Sequence, residues 1–279
     1  MSPWIRLQRD RLALVCMGFL GGVLVLGLLA PILPLSDPTL IDVGDKFAPW
    51  SWYHPFGTDQ LGRDVLSRLV YGIRATVFLS LLTMAITSAL GACVGLVSGF
   101  FRNRIDDVLM RICDVMMSFP SEVMILAIVG MTGPGLENVV IANVVAKWPW
   151  YARMVRSIVR QYSDKDYIRF AKVAGGSSIR IMMRHLLPGT AGELFVLTTL
   201  DTGSVILMIS ALSFLGLGVQ PPTPEWGMML NEAKEVMTLY PLQMIPAGMA
   251  ILLVVAAFNF LGDSLRDAFD PKHAGRERS

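Results

Sequence analysis

Long runs without charge alternate with short polar stretches along the chain, and the runs set its first elements. Leu12 to Ser36 holds no charged residue, and neither does Ala75 to Phe101. Each exceeds the roughly 20 apolar residues that cross a bilayer as a helix. A third run, from about Asp107 to Met131, carries Arg111, Asp114 and Glu122, and Pro120 within it predicts a kink. Asn138 to Tyr151 is interrupted by Lys147 and Pro149, with Trp148, Trp150 and Tyr151 forming an aromatic belt. Gly192 to Gly218 and Leu242 to Gly262 complete the set. The pattern predicts an all-α integral membrane protein with six transmembrane helices.

The polar stretches orient those spans. Arg6, Arg9 and Arg11 precede the first run, which puts the N-terminus in the cytoplasm under the positive-inside rule. Residues 1–11 then form a cytoplasmic tail, 12–36 the first span, 37–74 an external segment, 75–262 a five-helix core and 263–279 a second cytoplasmic tail. No A-x-A cleavage pattern follows the first run, so it is expected to stay in place as a span. Within the external segment, Gly57-Thr58-Asp59 reads as a turn with an Asp or Thr cap. Leu61, Val65, Leu69 and Ile73 then share one helical face, which predicts an amphipathic helix lying at the membrane interface. Val219 to Tyr240 is the other external stretch. Gly91, Gly95 and Gly99 recur every four residues in the second span and predict close approach of another helix.

One polar stretch stands apart. Asp164 to Pro188 reads as two short helices around a glycine pair, with Ser163 or Asp164 as the first cap. Ile168, Ala171 and Val173–Ala174 form one apolar stripe, and Ile179, Met182, Met183 and Leu186 form another. Gly175–Gly176 supply the turn, and Pro188 marks where the next membrane helix begins or bends. Arg153, Arg156, Arg160, Lys165, Arg169, Lys172, Arg180 and Arg184 make this the most basic region, as a cytoplasmic loop should be.

Composition agrees with a membrane protein: 53% of residues are hydrophobic and only 16% charged, against about 25% charged in soluble domains. A net charge of +2 gives no reason to expect nucleic acid as a partner. No P-loop, H-E-x-x-H or Cys/His cluster occurs, so neither a catalytic residue, a metal site nor a cofactor is expected in this chain. Cys16, Cys93 and Cys113 read as buried small hydrophobes, and the seventeen methionines as packing residues. Asp201, well inside the fifth run, and Glu122, beside Pro120, are the candidates for a translocation pathway. An ionisable group in a span is costly and faces either a partner or a watery cavity. For Asp201 the plainer reading is a structural hydrogen bond to a neighbouring helix.

Several motifs resemble those of one family. Ala171, Gly175 and Leu187–Pro188 sit at the spacing of the cytoplasmic docking loop of ABC-importer permeases, although Arg169 and Phe170 replace its usual Glu and first Ala. The block Gly57-Thr58-Asp59 through Gly62-Arg63-Asp64, the run Ser213 to Gly218 and the ending LGDSLRDAFDP resemble the peptide, opine and nickel permeases. Trp150 to Ser157 and Thr199 to Gly203 look most like the second nickel permease subunit. The resemblance implies a type I ABC importer permease fold and a bacterial inner-membrane location. It also implies a heterodimer with a second permease, two ATP-binding subunits, an extracytoplasmic solute-binding protein and membrane lipid around the spans. Ala171, Gly175, Gly176, Leu187 and Pro188 would then couple ATPase closure to the pathway. The cargo reading is nickel or a metal chelate, with dipeptides or oligopeptides as the alternative. A stand-alone channel or ion-coupled carrier is a third reading, which leaves the docking loop unexplained.

Overall fold

The computed structural model describes residues 3–269. They form helices joined by turns, and no strand occurs among them beyond one isolated bridge, Thr58 with Asp64. Helix α1 is Pro3–Leu7, and α2, Arg11–Leu29, is capped by Asp10, which accepts from the Leu12 and Ala13 amides. Ser264 donates to the same carboxylate at 2.6 Å and ties the start of α2 to the last helix. A span to Ser36 was expected from hydropathy alone, but the helix stops before Pro31 and Pro34.

Helix α3 runs without interruption from Val65–Phe101. The expected interfacial helix and the span after it are one element, because nothing between Ile73 and Ala75 breaks a helix. A π turn at Arg74–Phe78 absorbs the change of face. The helix also starts later than Leu61. Asp64 caps it through the Ser67 amide at 2.6 Å, where Asp59 or Thr58 was expected to serve.

At Pro120 the third run breaks: α4, Arg104–Met117, and α5, Ser121–Thr132, meet at 82°. Helix α6, Leu136–Ser163, continues through Pro149 and is twice the length of the run that predicted it. It packs on α3 across the three glycines. A Cβ at Gly91 would lie 2.3 Å from that of Tyr151, one at Gly95 2.6 Å from the Ala152 carbonyl, and one at Gly99 2.8 Å from Val159.

After α7, Asp166–Val173, the chain enters α8, Ser178–Phe214. This helix begins well before Gly192. A π turn at Met182–Leu186 includes the Arg184 carbonyl that Pro188, lacking an N–H, cannot satisfy. Helix α9 is Trp226–Lys234. Helix α10, Pro241–Phe269, extends past the expected end at Gly262, so residues 263–269 belong to it and not to a tail. At Gly262 the helix packs closely on α8, since a Cβ there would lie 2.5 Å from the Leu200 side chain. Among the described residues, four helices (α2, α3, α8 and α10) are long and apolar enough to cross a membrane, and the bent pair α4–α5 makes a fifth if taken as one span. Helix α6 is long but too polar to join them. Cys16 and Cys113 are buried, whereas Cys93 is exposed on α3, contrary to the expectation for all three. Pro271 and His273 lie outside the described residues.

Candidate translocation cleft and docking loop

The turn after α7 explains the spacing of its motif. The Gly175 amide donates to the Lys172 carbonyl at 3.1 Å and the Gly176 amide to the Ala171 carbonyl at 3.0 Å, a complete Schellman cap. Gly175 has φ +79, and a Cβ on Gly176 would fall 2.8 Å from the Ala171 carbonyl oxygen. Both positions therefore require glycine, and Ala171 is linked to them through its backbone. The N-cap is Lys165, without a side-chain bond, not Ser163 or Asp164. Asp164 instead pairs with Arg102 at 2.9 Å, and that hydrogen bond holds its exposed carboxyl below the ordinary value.

The expected apolar stripes are only partly turned inward. Of their members, Ile168 and Leu186 are buried, while Val173 and Ile179 are 86% and 71% exposed; outside the stripes, Ile181 is buried and Phe170 is 74% exposed. Arg169 and Lys172 flank them. The loop thus presents an apolar surface edged with positive charge. Leu187 is half-buried and Pro188 exposed where α8 leaves the loop.

The two candidate carboxylates lie together. Glu122 and Asp201 both line a cleft of about 520 Å³ between the α4–α5 break, α6 and α8, with Met117, Lys147, Trp150 and Tyr151. Tyr151, fully buried, donates to Asp201 Oδ2 at 2.8 Å. Lys147 donates to Ser204 Oγ at 3.1 Å. Glu122 is exposed in the first turn of α5, where a helix N-terminus favours a negative charge. None of the three ionisable groups has an ion-pair partner among the described residues. Lys147 was legible only as an interruption of a span. Among the described residues no three His, Cys, Asp or Glu side chains are placed to hold a metal ion.

The far end of α8 holds a different set of charges. Arg63 meets Asp59 at 2.7 Å and Glu232 at 2.9 Å, and Arg68 meets the same two carboxylates at 2.5 and 2.7 Å. All four side chains are largely buried. Gly57 and Gly62, at φ +71 and +77, allow the preceding loop to fold around them, and a Cβ at Gly62 would fall 1.7 Å from the Asp42 carbonyl oxygen. The buried Glu225 lies nearby as the cap of α9, accepting from the Met228 amide at 2.8 Å and from Thr76 at 3.0 Å. Burial raises its carboxyl above the ordinary value. The run Ser213 to Gly218 is a second Schellman turn: Gly216 has φ +79, and the Leu217 amide reaches the Leu212 carbonyl at 2.9 Å.

A bundle of long apolar helices, an exposed apolar loop at one end and a charged cleft within it define a membrane transport subunit. The chain belongs to the family described as binding-protein-dependent transport system inner membrane component, whose model matches residues 91–274. It is the permease type of ABC importers, and its members are transport subunits, not enzymes. A metal-staphylopine import system permease of Staphylococcus aureus is 41% identical over 273 residues, covering 98% of this chain and 94% of its own length. A dipeptide transport system permease of Alkalihalophilus pseudofirmus is 37% identical, covering 98% and 91%. A nickel transport system permease of Escherichia coli is 39% identical, covering 84% and 85%.

Proposed function

We propose that this chain forms half of the translocation pathway of an ATP-driven importer for nickel or a metal chelate. Six passes place both termini in the cytoplasm, with α6 and the bent pair α4–α5 each serving as one pass. A second permease completes the pathway. Two ATP-binding subunits dock on the loop around α7, and a solute-binding protein delivers cargo to the opposite face. Ala171, Gly175, Gly176, Leu187 and Pro188 transmit ATPase closure, while Asp201 and Glu122 face the solute. The observation that carries this reading is the joining of Asp201 and Glu122, on different helices, in one cleft. Support for a metal cargo comes from the metal-staphylopine and nickel permeases among the relatives.

The test is uptake of radioactive nickel by cells expressing the complete importer, with and without an energy supply. Energy-dependent accumulation is expected. Gly175→Val, which forces a β-branched residue into the left-handed region, should lower uptake per ATP hydrolysed while the complex still assembles. Normal transport by an assembled Gly175→Val importer would remove the coupling role. Uptake of dipeptides but not metal would move the cargo to the alternative that the 37% identical dipeptide permease supports.

A further inference from the structure

We propose that Lys147 is a solute-contacting group that makes the cleft selective for cargo carrying a free carboxylate. The inference rests on the reading of the cleft as part of the pathway. Lys147 and Tyr151 are one turn apart on α6, and Asp201 and Ser204 are one turn apart on α8. Tyr151 bonds Asp201 and Lys147 bonds Ser204, so two rungs join the same pair of helices. One rung presents an anion and the other a cation, about 5 Å apart along the axis. A zwitterion or an amine–carboxylate metal complex spans such a distance with both ends matched.

Packing does not account for the lysine. Its ammonium has three donors, and its one bond goes to a neutral hydroxyl, which itself donates to the Asp201 carbonyl at 2.8 Å. Several guanidinium groups on α3 and α6 are paired with carboxylates, as Lys147 is not: Arg68 with Asp59 and Glu232, Arg156 and Arg160 with Asp106, and Arg153 with Asp114. A lysine in a span costs about 2.5–3.5 kcal/mol unless it reaches water or an interface. Lys147 lies about 16 Å from the start of α6, beyond the reach of a lysine stem. Water in the cleft is its remaining outlet, and from there it meets whatever passes. A bare divalent cation would be repelled by it, whereas a carboxylate would be attracted.

The test uses the complete importer, with its binding protein, in proteoliposomes. The two probes are radioactive nickel presented with L-histidine and with L-histidinamide, which keeps the imidazole and amine but lacks the carboxylate. If dipeptides are the cargo, the pair is a dipeptide and its C-terminal amide. Lys147→Met should lower initial uptake of the carboxylate probe tenfold or more and leave the amide probe within twofold. Lys147→Arg should restore most of the loss. An unchanged rate in Lys147→Met, or an equal fall for both probes, would overturn the assignment. If the amide is not carried by the parent importer, the arginine variant decides, and an Arg rate no better than Met overturns it. Should Lys147→Met fail to assemble, Lys147→Gln carries the same comparison. Absence of energy-driven uptake of every probe by the parent importer would instead defeat the pathway reading itself.

Discussion

Two of the charge groups among the described residues are treated in opposite ways. At the α9 end, Asp59, Glu232, Arg63 and Arg68 are packed into a closed quartet whose formal charges cancel, each arginine touching both carboxylates. In the cleft, Glu122, Lys147 and Asp201 sit around open space, and none is paired with another. Desolvating an ion is costly, so a closed set must satisfy itself, while an open one can stay ionised only where water or a ligand reaches it. The quartet therefore joins the loop before α3 to α9. The cleft has the chemistry left over for a passing solute.

Breaking the quartet should give the largest effect. Arg68→Met leaves two buried carboxylates sharing one arginine, and removing one partner of a buried pair costs about 3–5 kcal/mol. Thermal unfolding in detergent should shift sharply downward and uptake should fall with the amount of folded complex. Adding Glu232→Gln removes one charge of the opposite sign and should recover more than half of the lost stability. A single variant as stable as the parent would show that water reaches the quartet, erasing the contrast with the cleft.

The cleft should respond in the opposite sense. Asp201→Asn keeps an oxygen for the Tyr151 hydroxyl, so the unfolding midpoint should hold. Transport should drop about tenfold, equivalent to roughly 1.4 kcal/mol of lost interaction with the solute. Uptake and thermal midpoint measured on the same preparation separate the two outcomes. Full transport with a lowered midpoint would return Asp201 to its plainer role as a helix–helix hydrogen bond.

These two regions were not equally legible in the sequence. A carboxylate inside an apolar run stands out, so Asp201 and Glu122 could be singled out before their helices were placed. Lys147 could not, because its meaning comes from Ser204, 57 residues away, and from the pairing of α6 with α8. The quartet was hidden for the same reason: Glu232 is 169 residues from Arg63. The turn at Gly175–Gly176 was legible because the spacing from Ala171 to Gly176 is that of the Schellman cap itself, whereas the same cap at Ser213 to Gly218 was hidden inside an apolar run. Helix lengths were misjudged where polar residues continue a helix beyond its apolar part, as in α6 and at Val65–Ile73. Hydropathy reports where lipid could sit, whereas only a proline, a glycine or a cap stops a helix.

The exposed pair at the docking loop sharpens the contrast from the weak end. Arg102 and Asp164 approach to 2.9 Å, nearly as closely as the members of the quartet, yet both face solvent. Water screens the pair, so distance alone should give it little weight. Its carboxyl is held low by the arginine, so any stability it adds is present above the ordinary carboxylate range and fades as pH falls through the lowered value. Arg102→Gln should therefore leave the unfolding midpoint unchanged at neutral pH. Parent and variant should differ least in acid, below about pH 4, where the carboxylate is being lost in both. A large midpoint drop at neutral pH would mean that closeness, and not burial, governs the charges of this protein. In that case the cleft and the quartet would have to be compared on geometry alone.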